Sequence, residues 1–157
     1  MKLARKLTNK KGLDVTLLYR VNFNQFRPLF YQVATAGLDA SDISFPLRKA
    51  FHKEKNIHFR MAVVTSIDTV NKKVITDEEE YPFDALVLAT GADTNFFGNQ
   101  QLMDHTFPMK STVEALQIKY RLLQNMEEAL YAKNNEELLT LLTVVVVGGG
   151  PTGVEMS

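Results

Sequence analysis

Residues Leu142 to Ser157, LTVVVVGGGPTGVEMS, constrain the fold more than any other stretch. Val144 to Val147 is an unbroken β-branched run and predicts a strand buried on both faces. The chain then turns through Gly148-Gly149-Gly150-Pro151-Thr152-Gly153. Read as GxGxxG, the motif uses Gly148 for the tight turn, Gly150 for close approach of backbone to a pyrophosphate, and Gly153 for close packing of the following helix. A helix opening near Thr152 would aim unpaired N–H groups and its positive dipole end at phosphates. Such a motif opens a βαβ unit and is followed, about 20 positions on, by an acidic residue for the ribose. Here the sequence stops four residues after Gly153, at Ser157.

An α/β pattern recurs at the other end. Met1 to Lys10 reads as a short basic helix with Leu3, Ala4 and Leu7 on one face, ended by Asn9 to Gly12 with Gly12 as the left-handed residue. Leu13 to Leu18 reads as a strand. Helix, glycine and buried strand read as the second half of a βαβ unit, whose first strand and glycine loop would be expected to lie outside this sequence.

Phe26 to Ala36 is rich in aromatic residues and reads as core, broken by Gly37. Ser41 to Ser44 before Phe45-Pro46-Leu47 predicts a capped helix running to about Lys53. Ile57 to Met61, Ala62 to Val70 and Val74 to Thr76 alternate like strands of a small β-meander, with turns at Asn71 to Lys73 and Asp77 to Glu80. Phe83 to Ala89 predicts another buried strand leading to Thr90-Gly91, small residues that allow a ligand close to a sheet edge. Ser111-Thr112-Val113-Glu114 is a capping box. The helix it opens, to about Lys133, carries Val113, Leu116, Tyr120, Leu123, Met126 and Leu130 as a stripe expected to face the core.

Composition narrows the function. Eighteen basic residues balance eighteen acidic ones, so no charge excess points to nucleic acid. Without cysteine there is no disulfide, thiolate metal site or redox dithiol. His52, His58 and His105 have no ligand spacing, so no metal site is expected, and no serine lies in a nucleophile elbow. Dinucleotide binding remains, with the chemistry carried mainly by cofactors.

With these segments in order, the chain resembles the type II, non-proton-pumping NADH dehydrogenases, FAD-dependent pyridine nucleotide oxidoreductases. The residues that carry the likeness are Asn24 to Ala34 (NQFRPLFYQVA), Ser41 to Arg48 (SDISFPLR), Leu88 to Ala92, Thr94 to Gly98, Pro108 to Ser111, and Gly148 to Glu155. The resemblance implies a Rossmann-like FAD/NAD(P)-binding α/β fold, present in part. Residues 1–110 would belong to the FAD-binding domain without its first glycine loop. Residues 111–157 would open the NAD(H)-binding domain. It implies FAD and NAD(H) as cofactors and NADH and a quinone as partners. Hydride would pass from NADH to FAD and electrons on to the quinone.

The longer protein would sit in the cytoplasm on the inner face of the cell membrane. Its membrane contact would come from a C-terminal segment outside this sequence, and the likeness leaves room for a homodimer. The 157-residue chain alone is expected to be inactive.

Carried over residue by residue, Thr90 and Gly91 would lie against FAD, Val64 near its adenine, and Pro28 to Gln32 near the flavin ring. Gly148, Gly150, Pro151, Thr152 and Gly153 would hold the NADH pyrophosphate, and Glu155 would stand near the nicotinamide–flavin contact as the catalytic position. One departure stands out. Where the family ends its second strand in an acidic residue for the FAD ribose, this chain has Tyr19, followed by Arg20. Tyrosine donates one hydrogen bond but cannot accept two hydroxyls as a carboxylate does. Two alternatives accompany this expectation. One is another reductase of the disulfide-reductase superfamily, such as a sulfide:quinone or ferredoxin reductase, against which the lack of cysteine counts. The other is a non-catalytic remnant.

Overall fold

The computed structural model describes residues 1–157. The chain divides into two compact units. Residues 1–24 and 44–91 form unit 1, and residues 25–43 and 92–157 form unit 2.

Unit 1 is built on one parallel pair. Strand β1 (Val15–Tyr19) lies beside β4 (Ile57–Met61) in the register Val15 to Ile57 through Tyr19 to Met61. Alternation sends Val15, Leu17, Ile57 and Phe59 to one face, where helices α1 (Lys2–Leu7) and α3 (Leu47–Phe51) cover them. Ala4, Leu47, Phe51, Ile57 and Phe59 are the buried centre of that layer. The α1 helix is shorter than its sequence suggests: it stops at Leu7, and Asn9, at φ 57°, is left-handed just beyond it, ahead of Gly12, which is left-handed as expected at φ 76°. The cause is Asn56. Its amide donates to the carbonyls of Leu7 (3.0 Å) and Leu13 (3.2 Å), and its oxygen accepts from the Asn9 N–H (2.9 Å). One side chain thereby satisfies the helix end and ties it to the start of β4.

The helix expected to open at Phe45-Pro46-Leu47 does so, but it is short and the residues before it form no hydroxyl cap. Short strands β2 (Phe23–Gln25) and β3 (Ser44–Pro46) pair with each other, and α3 follows with Pro46 as its extended N-cap and no side-chain cap. Ser41 instead closes an Asx turn, its N–H and hydroxyl both donating to Asp39 (2.8 and 2.7 Å). The meander is also smaller than expected. Ile57–Met61 belongs to the parallel pair, whereas β5 (Val64–Asp68), β6 (Lys73–Thr76) and β7 (Glu80–Pro82) form a separate antiparallel sheet. In its first turn, Asp68 accepts from the N–H groups of Val70 (3.0 Å) and Asn71 (2.9 Å) and from the Asn71 amide (2.7 Å). In its second, Thr76 closes on the Glu79 carbonyl (2.7 Å), leaving the acidic run solvated.

Unit 2 is helical. Phe26, expected in the core, is 54% exposed, while Phe30, Val33 and Ala34 of α2 (Phe30–Ala34) pack with Ile43 and Ala115. Ala115 lies on α5 (Thr112–Ala129), which opens with the capping box. Ser111 Oγ accepts from the Glu114 N–H (3.2 Å), and Glu114 Oε2 accepts from the N–H groups of Ser111 (2.9 Å) and Lys110 (2.6 Å). A short helix α4 (Gln100–His105) precedes it, capped by Asn99. Helix α6 (Asn135–Leu142) follows. Its cap is Asn134, whose oxygen accepts from the Glu137 N–H (2.9 Å). Helix α7 (Pro151–Met156) closes the chain.

Of the long stripe on α5, Leu116 packs against this core and most of the rest does not. Ala115 is fully buried in the contact, with Leu116 and Ile118 packed beside it, and Val113, Tyr120, Leu123, Met126 and Leu130 are exposed. Neither Phe83–Ala89 nor Val144–Val147 forms a strand. Both runs have the β-branched or apolar side chains of buried strands. A strand also needs a neighbour for its N–H and C=O groups, and apart from the Phe83 N–H, which donates to the Lys72 carbonyl (2.9 Å), neither run joins a ladder. Val145 and Val147 are consequently among the most exposed apolar residues of the chain. No helix is long and apolar enough to cross a membrane.

Two outcomes are expected. Leu47 is almost fully buried, so Leu47→Ala should cost unit 1 about 2–5 kcal/mol in urea unfolding followed by amide signals of β1 and β4. Hydrogen bonds from the Asn71 backbone and side chain hold the Asp68 carboxyl below its ordinary value of 3.8. A depressed folded pKa means that this contribution is present above the unfolded value and is lost as pH falls through the folded one. The Val70 and Asn71 amides should therefore shift together at a pH below 3.8. A midpoint at or above that value would refute the turn geometry.

Candidate functional site

The glycine turn is formed even though the valine run before it is unpaired. Gly148 has φ 113°, a conformation that L side chains rarely adopt. Gly150 is the extended N-cap of α7, with Pro151 in the first helical turn, and its carbonyl accepts from the Val154 N–H (3.1 Å). The strongest constraint is on Gly153. A Cβ there would collide with the Gly148 carbonyl oxygen and crowd the Gly148 carbon. The turn thus folds back on the helix it launches, and only glycine permits it. Gly148, Gly149 and Gly150 have open space around them, as a loop that receives a ligand against its backbone requires. Glu155 and Thr152 are exposed on α7. Gly148, Gly150, Pro151, Thr152, Gly153 and Glu155 are therefore gathered in one turn and one short helix of unit 2.

The residues carried over for the flavin side lie apart from these in the chain. Tyr19 ends β1, half-buried, with its ring against the α1/α3 core and its carbonyl accepting from the Ala62 N–H (3.2 Å). Arg20 follows and is exposed. Val64 begins β5 immediately after that closure and is 45% exposed. Thr90 and Gly91 end the unpaired run, Gly91 at φ 76°. All five belong to unit 1. Pro28 to Gln32 belongs to unit 2. There Pro28 sits in a 3-10 turn (Arg27–Leu29), and the Gln32 carbonyl accepts from Gly37 (2.7 Å) and Leu38 (3.0 Å).

Sequence reasoning missed two features. Gln25 accepts from the Thr112 N–H (3.1 Å), one of the unpaired donors at the start of α5, and so ties residues 25–43 to that helix. Between α1 and β2, a cavity of about 400 Å³ is lined by Met1, Lys2, Arg5, Lys6 and Asn24. The cations at Lys2, Arg5 and Lys6 recur at helical spacing, which is the signal that could have revealed it.

These geometries separate two glycine roles. Gly153→Ala should disrupt the turn itself, shifting amide signals of Val146 to Met156 without any ligand. Gly150→Ala, with open space at its Cβ, should leave those signals near their wild-type positions and act only on binding.

The family model for pyridine nucleotide-disulphide oxidoreductases matches residues 1–157. The chain is 35% identical over 158 residues to a type II NADH:quinone oxidoreductase, Ndh, of Mycobacterium tuberculosis, covering 98% of this chain and 34% of that protein. It is 34% identical to an external alternative NAD(P)H-ubiquinone oxidoreductase of Arabidopsis thaliana mitochondria, covering 95% of this chain and 28% of that protein. Among solved structures, NDH2 from Plasmodium falciparum in complex with NADH superposes with a TM-score of 0.85 at 28% identity, over 95% of this chain and 32% of that one. The sulfide:quinone oxidoreductase of Aquifex aeolicus matches with a TM-score of 0.67 at 28% identity, over 73% of this chain and 27% of that one. The chain thus spans about a third of the length of the curated relatives it matches. With the model matched from end to end and the α/β architecture shared at this level, the chain belongs to the pyridine nucleotide-disulphide oxidoreductase family.

Proposed function

We propose that this chain is the nucleotide-binding front portion of an NADH:quinone oxidoreductase of the type II kind. The observation that carries the proposal is the turn at Gly148 to Gly153, closed by the approach of the Gly148 carbonyl to Gly153 and open around Gly150. Those residues fit the pyrophosphate of NADH: open backbone at Gly149 and Gly150 can approach the phosphates, and α7, which opens directly after them, begins with N–H groups that have no partner within the helix. Glu155, in the next turn of that helix, would orient the nicotinamide end. Residues 111–157 would then open the NADH domain, and residues 1–110 would contribute to a flavin domain.

The relatives' names support NADH as donor and a quinone as acceptor, and one structural neighbour holds NADH. FAD is the flavin that the likeness implies. Thr90 and Gly91 suit close approach to it, but Tyr19 and Arg20 do not offer its ribose a paired acceptor. The proposal therefore stands on the NADH turn. Attachment of the longer protein to a membrane surface, and pairing as a homodimer, go with the same reading. Sulfide chemistry is the less favoured alternative, because this segment has no cysteine to carry sulfur.

The test is NADH binding, followed by polarisation of nicotinamide fluorescence. Saturable binding is expected, displaced by ADP-ribose and weakened about tenfold or more by Gly150→Leu, which crowds the phosphate side of an otherwise open turn. Binding unchanged in that variant, or no saturable binding, refutes the assignment.

A further inference from the structure

The carboxyl end of β1 carries a donor set that suits an anion better than a ribose diol. In open α/β sheets, ligands sit outside the carboxyl ends of parallel strands, and the residue there selects the ribose. A carboxylate accepts from both ribose hydroxyls. An arginine nearby accommodates a ribose phosphate instead. At this edge the chain reads Leu18-Tyr19-Arg20-Val21-Asn22 on β1 and Arg60-Met61-Ala62 on β4, with no carboxylate in either segment.

Tyr19 is committed elsewhere. Its ring packs on the core formed by Ala4, Leu47, Phe51, Ile57 and Phe59. It has one hydroxyl and cannot replace a two-oxygen acceptor. Arg20 is exposed and enters neither of the ion pairs in the structure, His58 with Asp14 (2.8 Å) and Lys73 with Glu80 (2.8 Å). A separate cavity of unit 1, between α1 and β2, has the same charge character. Its lining holds three cations, Lys2, Arg5 and Lys6, with Asn24 and no carboxylate. Guanidinium groups bind phosphate through paired charge-assisted hydrogen bonds, whereas a neutral diol facing them finds donors and no acceptor for its two hydroxyl protons.

We propose that this end of unit 1 takes a nucleotide with a phosphorylated ribose, of the 2′-phosphoadenosine class, in preference to one with a free ribose diol such as the adenosine half of FAD, and that Arg20 receives the added phosphate. The proposal shares with the preceding section the view that the edge of unit 1 is nucleotide-binding. It does not depend on NADH at the Gly148 turn.

The experiment is amide-resolved NMR titration of the ¹⁵N-labelled chain with adenosine 2′,5′-bisphosphate and, separately, with 5′-ADP. Shifts at Tyr19, Arg20, Met61 and Ala62 report this edge, and shifts at Gly148 to Glu155 report the other turn. For the bisphosphate, the edge residues should give a dissociation constant lower by about tenfold or more, the range expected for an added charge-assisted pair. Arg20→Ala should bring the two constants to within about threefold while leaving the β1 and β4 spectrum in place. Tyr19→Glu combined with Arg20→Ala should reverse the order. Equal affinities in the wild-type chain, preference for 5′-ADP, or no shift at this edge with either compound overturns the proposal. Failure of NADH to move the Gly148 to Glu155 amides would instead count against the preceding section alone.

Discussion

Backbone pairing between β1 and β4 is the constraint on which unit 1 depends. Its five parallel partners fix which side chains face α1 and α3, and so place Leu47, Phe51, Ile57 and Phe59 in one layer. The same register sets Tyr19 beside Met61 at the carboxyl end and turns the Tyr19 ring into the core. Arg20, one residue later, is left at the edge in water. The chemistry proposed for that edge follows from strand register as much as from residue identity: the aromatic ring is held by packing and the guanidinium is free to meet a ligand.

Local signals were legible in the sequence where the cause is local. The capping box at Ser111 and Glu114, the strand centred on Leu17, the acidic turn after Thr76 and the glycine turn after Val147 all follow from a few neighbouring residues. Signals that depend on distant partners were not. Valines at 144 to 147 state a preference for a buried strand, but a strand forms only when another backbone lies alongside, and no periodicity reports whether one does. Phe83 to Ala89 fails for the same reason. Ile57 to Met61 succeeded as a strand and was placed in the wrong sheet, because alternation carries no information about parallel or antiparallel partners. The end of α1 was set by Asn56, far away in sequence, which no local rule for glycine at a helix terminus could anticipate.

Helix α5 shows how the smallest residues can decide a packing face. Its larger apolar side chains, from Val113 to Leu130, form the stripe that periodicity identifies. The contact with α2 centres on fully buried Ala115, which lets the two backbones approach closely, with Leu116 and Ile118 packed beside it. On the functional side, the same economy of size appears at Gly153, where the absence of a side chain is what lets the Gly148 carbonyl fold over the start of α7. The glycine turn was readable in sequence because its geometry is made by missing atoms, and glycine spacing reports those directly. The ribose preference was readable only as a departure, the tyrosine and arginine where a carboxylate was expected.

The central claim is that pairing, not side-chain preference, decides which β-like runs become strands, and that the glycine turn forms regardless. Residue-resolved amide hydrogen exchange tests it most directly. The account predicts protected amides in β1 and β4 along their shared register, and exchange close to open-chain rates at Val144 to Val147 and Ala85 to Ala89. Protection at the valine run comparable to that of Leu17 or Phe59 would mean that the run is paired after all, and would contradict the account.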